Sequence, residues 1–399
     1  MKIRISLLYS VILLGSSVPI PLQLLAGEKT EIIQKSTPTG IWCLLPSYSY
    51  KHPDQMAQSL FCPARISNEV AVIDTSTNQV ITQIPVGTYP IRIAMTPDRR
   101  KAFVSNGQSV SISVLDTVAR TNIATIPVNK SPGESAVTPD GRRLFVLHQV
   151  PLEGDPNHCP VDVIDTATNL VITTVLIPGH WAKDILFTLD GRFAYIANFS
   201  NGEVDVIDTA TYQVTSIPTG AGSRRLCISH AGDRVYVTNI KVNSVSAIDT
   251  ATKQLIATIP VGRAPEGIGI TPNDEEVYAT NQIDGTVSVI DTTTLTVIAT
   301  IPTGALCQRV VITSDGTKAF VQNGFSDTVS AIDTATHTVI ATIHVGHQPW
   351  TILADQNDMK LYVCNGGDTT VSVIDIPSLT VSDTIANVGS APWDLAFGR

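Results

Sequence analysis

Residues Pro265 to Gly304 read PEGIGITPNDEEVYATNQIDGTVSVIDTTTLTVIATIPTG. Four short apolar runs stand in this stretch: Ile268–Ile270, Val277–Ala279, Val287–Ile290 and Thr296–Ile301. The third is rich in β-branched residues, which suits a half-buried strand. Thr-Pro-Asn-Asp separates the first two runs and Asp-Thr-Thr-Thr the last two. Both are hairpin connections, because Pro presets φ and Asn or Asp bonds its own backbone. Four strands in roughly 42 residues without a helical period make one propeller blade.

The Ile-Asp-Thr triplet of this unit, or a near relative, occurs eight times, at Asp74, Asp116, Asp165, Asp208, Asp249, Asp291, Asp333 and Asp375. Successive gaps are 42, 49, 43, 41, 42, 42 and 42 residues. A repeat of this length cannot bury its own faces and must stack on its neighbours. The aspartate then caps the turn between third and fourth strands, a structural task. Phe61 stands 13 residues before Asp74, as Tyr278 does before Asp291, so the chain enters the repeat at a second strand. The missing first strand is supplied at the other end by Pro392–Phe397. The expectation is an all-β propeller of eight four-stranded blades, closed by N-terminal strands plus one C-terminal strand; seven blades with one unit outside the ring is the alternative.

The motif before each triplet names a resemblance. Tyr278-Ala-Thr-Asn281, Tyr236-Val-Thr-Asn239 and Tyr362-Val-Cys-Asn365 resemble the YVTN β-propeller repeat family, over about residues 58–399. Departures at Phe103-Val-Ser-Asn106, Phe145-Val-Leu-His148, Tyr195-Ile-Ala-Asn198 and Phe320-Val-Gln-Asn323 keep the aromatic and usually the Asn. The resemblance implies an exported or surface-associated protein.

The first residues agree with export. Lys2 and Arg4 precede an apolar Leu7–Leu14 run followed by small and helix-breaking residues, so 1–26 reads as a signal peptide. Its serines and prolines make a poor membrane span, and no span is expected after cleavage; retention as an anchor is the alternative. Residues 27–57 read as an irregular arm. The expected location is periplasmic, cell-surface or extracellular. Of six cysteines, Cys43 and Cys62 are the expected disulfide, tying arm to closing blade; Cys227 and Cys307 read as buried apolar thiols. Charged residues are only 15% of the chain and the formal net charge is −9, which argues against general nucleic-acid binding.

Loops entering first strands share one face of a propeller with loops between second and third strands, so function is sought there. With blades numbered from the first strand that holds Arg92, the mouth position of each reads Arg92, Glu134, Asp184, Arg225, Gly267, Arg309, Thr351 and Asp394. The residues just before these include Lys183, Arg224, Glu266, Gln308, Trp350 and Trp393. One reading is a collar of opposite charges that neutralise each other. The other divides the mouth: Arg224, Arg225, Arg263 and Arg309 form a positive arc for a carboxylate or phosphate. Trp350, Trp393 and Asp394 would suit a sugar or cation.

Blade 2 carries the 49-residue gap, in the loop after Phe145. There His148, His158 and Cys159 fall near His180 of the next blade, a zinc- or copper-type set without a tight spacing motif. A surface loop is the plainer reading; metal is possible, and no cofactor is expected. No Gly-x-Ser-x-Gly, Walker loop or His-Glu-x-x-His occurs, so no catalytic residues are assigned. The expected function is a non-catalytic binding platform, a monomer engaging a protein, glycan or small anion at the mouth. The rivals are a propeller enzyme or accessory subunit (lactonase, lyase or oxidoreductase-associated) and an architectural envelope or surface-layer component.

Overall fold

In the unit quoted above, the four apolar runs become strands Pro265–Ile270, Glu276–Asn281, Thr286–Asp291 and Thr296–Pro302. The two middle strands bury both faces, because each sheet packs between two others, while the fourth alternates exposed and half-buried residues at the rim. The structure, a computed structural model, describes residues 59–399. The expected signal peptide, arm and Cys43 lie outside the described residues.

Within residues 59–399 the same pattern gives eight four-stranded antiparallel sheets and no helix. Blades 1 to 7 begin at inner strands Pro90–Met95, Pro132–Val137, Ala182–Phe187, Ser223–Ile228, Pro265–Ile270, Cys307–Ile312 and Pro349–Ala354. Blade 8 takes Ser59–Ala64, Glu69–Asp74 and Gln79–Pro85 from one end of the sequence and Ala396–Gly398 from the other. The seam is antiparallel and short: Ser59 faces Gly398, Leu60 faces Phe397 and Phe61 faces Ala396. Eight blades close the ring, and the seven-blade alternative falls.

Each letter of the repeat has a distinct bond. Asp291 Oδ1 accepts the Thr293 and Thr294 N–H groups at 3.1 and 2.6 Å, and the other seven triplet aspartates accept backbone N–H groups in the same turn. Thr292 Oγ1 donates to Asp274 O at 2.7 Å, which ties that turn to the one between first and second strands. Asn281 Nδ2 donates to Thr286 and Ser288 hydroxyls at 3.0 and 2.9 Å, clamping the loop at the mouth. The Tyr278 ring is buried between blades.

Neighbouring blades are also tied by polar bonds. At the face opposite the mouth, a cation two residues before the motif aromatic reaches a Thr carbonyl one blade on. Lys101 Nζ donates to Thr166 O at 2.7 Å and Lys360 Nζ to Thr75 O at 2.8 Å; Arg143 and Arg234 reach Thr209 O and Thr292 O in the same way. Nearer the mouth, Thr238 and Thr280 hydroxyls donate to Glu266 O and Gln308 O of the next inner strand.

Candidate ligand site at the propeller mouth

The amino ends of the inner strands converge, and their side chains meet at the mouth. Glu134 of blade 2 is the hub: its Oε1 accepts a hydrogen bond from Arg225 Nη1 at 2.8 Å and is ion-paired with Arg92, whose Nε lies 2.6 Å away. Arg224 lies against Glu266 at 2.8 Å. Arg225 also stands 3.8 Å from Asp184. Burial pushes the Glu134 carboxyl up, but Arg92, Arg225 and Arg309 pull it further the other way, down to about 2.

Asp184 and Asp394 behave differently. Both are almost fully buried, and burial pushes their carboxyls up to about 6 despite nearby arginines. Asp184 Oδ2 accepts the Leu226 N–H at 2.9 Å, and Asp394 Oδ2 accepts the Ile93 N–H at 3.3 Å. Each therefore pins the inner strand of the following blade. Neither lines the cavities described below.

Arg309 differs from the three other guanidinium groups carried by the inner strands at the mouth. Among the described residues, Arg92, Arg224 and Arg225 are ion-paired, whereas Arg309 has no carboxylate within 4.0 Å. Burial, then repulsion from Arg225 and Arg92, lowers its pKa to about 10. It borders a cavity of about 80 Å³ with Arg225, Glu266, Gln308, Trp350 and Trp393. A larger cavity of about 340 Å³ opens beside it, over Arg65, Tyr89, Arg92, Lys183 and Arg225. Arg92, Arg224, Arg225 and Trp393 border both. At this face Arg65, Arg92, Lys183, Arg224, Arg225 and Arg309 outnumber Glu134, Asp184, Glu266 and Asp394, in a chain of net charge −9.

Three expectations need correction. Arg263 is not part of the arc: it is 65% exposed, pairs with Asp284 at 2.6 Å and borders neither cavity. Asp284 lies in the same blade's second-to-third-strand loop and holds it outward. The open aromatic sector is also absent. Trp350 and Trp393 stack on each other at 4.3 Å, and Arg65 lies 4.1 Å from the Trp393 centroid and 4.0 Å from that of Tyr89. Trp393 therefore already has Trp350 and Arg65 against its ring, and Asp394 is fully buried. Arg65 and Tyr89 lie just outside the strands Ser59–Ala64 and Pro90–Met95, where the first-strand pattern carries no signal for them. Arg65 stands four residues after Phe61, a position matching Gly107 and Gln149, which also border the larger cavity.

The third correction concerns the metal set. Both ring nitrogens of His148 are engaged, Nδ1 with Lys130 O and Nε2 with Asp162 Oδ2, each at 2.9 Å. His158 Nδ1 faces Asp155 at 2.9 Å in the loop, the Cys159 thiol donates to His148 O at 2.8 Å, and the His180 ring packs edge-on to Trp181. No group of three His, Cys, Asp or Glu side chains suited to a metal occurs among the described residues. His148 takes the place of the motif Asn and Asp162 that of the Ser it clamps, so the pair belongs to the blade.

Comparison with known proteins agrees with this architecture. A family model for YNCE-like beta-propellers matches residues 271–386. The "Seven-bladed beta-propeller protein Rv1057" of Mycobacterium tuberculosis is 31% identical over 100 residues; the match spans 23% of this chain and only 25% of that relative's length. Among solved structures, dihydro-heme d1 dehydrogenase NirN in complex with DHE superposes with a TM-score of 0.72 at 14% identity, covering 89% of this chain and 80% of that one. Kuenenia stuttgartiensis hydrazine synthase gives 0.57 at 22% identity, over 70% and 93%. A functionally unknown protein from Desulfotomaculum acetoxidans gives 0.58 at 15% identity, over 86% and 100%. At these identities the structures share the propeller fold alone. The chain is a β-propeller, consistent with the YVTN type.

Proposed function

We propose that this chain is an exported, non-catalytic binding platform whose mouth takes a small oxyanion, a carboxylate or phosphate, beside Arg309. The single observation that carries this reading is the guanidinium of Arg309, which borders the mouth without an ion-pair partner and is repelled by Arg92 and Arg225. An anion there would relieve that repulsion and accept charge-assisted hydrogen bonds. The paired arginines contribute differently. Arg92, Arg224 and Arg225 are already matched to Glu134 and Glu266, so they add positive potential and hold the wall in shape. Nothing at the mouth favours catalysis, since the two carboxyls raised toward neutrality, Asp184 and Asp394, border neither cavity.

The test uses the full chain with inorganic phosphate, sulfate and citrate, read by thermal shift and calorimetry. A saturable rise in melting temperature is expected, with Arg309→Ala weakening affinity about 10- to 100-fold, the range for a hydrogen bond to a charged group. Arg263→Ala should leave affinity unchanged. Equal affinities in wild type and Arg309→Ala would refute the site. No shift with any of the three anions would leave the mouth as a structural collar.

A further inference from the structure

The ring is closed by pairing between the two ends of the sequence. The closing strand Ala396–Gly398 pairs through three residues, extended by an Ala64–Pro392 bridge and by the Trp393 N–H donating to Pro63 O at 3.1 Å, whereas the other inner strands pair through four or five. Side chains add to that closure. Between blades 7 and 8 a core of Leu60, Tyr362, Val373, Leu395 and Phe397 encloses two thiols. Cys62 lies on the Ser59–Ala64 strand and Cys364 on Lys360–Asn365, and both are fully buried. Their sulfurs are 3.6 Å apart, and the Cys364 thiol also donates to Asp394 O at 3.5 Å, just before the closing strand.

We propose that Cys62 and Cys364 form an interblade disulfide that latches the ring, linking the N-terminal strands directly to blade 7. Bringing the sulfurs from 3.6 Å to a bonded separation of about 2.05 Å asks for a relative shift of about 1.5 Å, shared between two side chains. The chemistry is thiol–disulfide exchange with a small-molecule or protein disulfide. One thiolate attacks a sulfur of the oxidant and forms a mixed disulfide, releasing a thiolate. The second cysteine sulfur, as thiolate, then attacks the first and releases the other half. Two protons and two electrons leave the pair, and the oxidant is reduced to two thiols.

Timing follows from burial. Exchange needs an accessible thiolate, and in the closed ring both sulfurs are covered, with the Cys364 thiol pushed well above its ordinary range. Oxidation therefore belongs to folding, before the seam shuts. Once formed, the bond is shielded from reductants by the same core. The latch spans 302 positions of sequence and so restricts the unfolded chain strongly. It also assigns Cys62 a partner other than Cys43.

The experiment is refolding of the reduced, denatured full chain in a glutathione–glutathione disulfide buffer, followed by alkylation and non-reducing tryptic mapping. Cys43, Cys62 and Cys364 fall in separate peptides, 36–51, 52–65 and 361–399. A cross-link between 52–65 and 361–399 is expected, with a melting temperature about 3–8 °C above that of the reduced protein. Cys364→Ser should lose both the cross-link and the oxidant-dependent gain, whereas Cys307→Ser should keep them. Because wild type alone provides the map, a misfolded variant does not obscure the result. Both thiols free after oxidative refolding, or Cys62 linked to Cys43, would overturn the latch.

Discussion

Asp205 departs from the repeat in a way that should be measurable. Five blades place Ser at this position of the third strand, where it accepts from the motif Asn: Ser113, Ser246, Ser288, Ser330 and Ser372. In blade 3 the acceptor is Asp205, fully buried, bonded by Asn198 Nδ2 at 3.0 Å and Ser216 Oγ at 2.6 Å. Burial outweighs these bonds and pushes its carboxyl up to about 6. A carboxyl raised on folding binds its proton more tightly in the native state than in the unfolded one. Its contribution therefore falls as pH rises from about 4 to about 6, by about 3 kcal/mol at most, and is level above that. Asp205→Ser restores the residue of the other blades and should flatten urea midpoints measured from pH 4 to 7. An unchanged pH profile would show that Asp205 is ionised in the fold throughout.

At the scale of the element, the inner strands of blades 5 and 6 come close together at Gly267. A Cβ built on Gly267 would lie 1.9 Å from Gln308 O, a backbone atom that no rotamer change can move aside. The same carbonyl accepts the Thr280 hydroxyl at 3.1 Å, so separating the blades also strains an interblade bond. Gly267→Ala should cost about 1–3 kcal/mol or more in denaturant unfolding. Gly154, with nothing near its Cβ direction, is unsuitable as a control because its φ is 85°. Val287→Ala, a truncation in the core between the same two blades, is the better comparison, because it removes side-chain volume there without a backbone clash. Alignment of mouth positions makes Gly267 visible as the small one, but only the interblade distance explains why.

For the whole molecule, closure is the cooperative event. Phe397, on the closing strand, is 2% exposed and packs edge-on to Tyr362 of blade 7 at 5.9 Å. Phe320, as deeply buried, packs between blades 6 and 7, and the four strands of its own blade are continuous in sequence. Truncating either to Ala should cost about 3–5 kcal/mol. Phe397→Ala should additionally free the three N-terminal strands of blade 8, and limited trypsin digestion should then cut first at Arg65. Identical cleavage patterns for the two variants would mean that the seam opens no more readily than an interior blade.

The repeat, the blade count and the strand supplied by each end were legible in the chain itself. Local patterning carries them: apolar alternation, turn residues and a constant period recur eight times, and Phe61 and Trp393–Phe397 stand in complementary phases. One position per repeat at the start of each inner strand was legible for the same reason, although Asp184 and Asp394 of that set border neither cavity. Which of those residues are matched was not. Glu134 draws Arg92 from the blade before it and Arg225 from two blades on, so Arg309 is left over only once the ring brings these blades around one axis. Arg65 reached the mouth through a loop outside the aligned strands, and Arg263 was turned outward by Asp284. Cys62 and Cys364, 302 positions apart, met at the seam. Periodicity determines what each blade is; ring closure decides which charges and thiols meet, because those contacts join residues whose separation in sequence has no period.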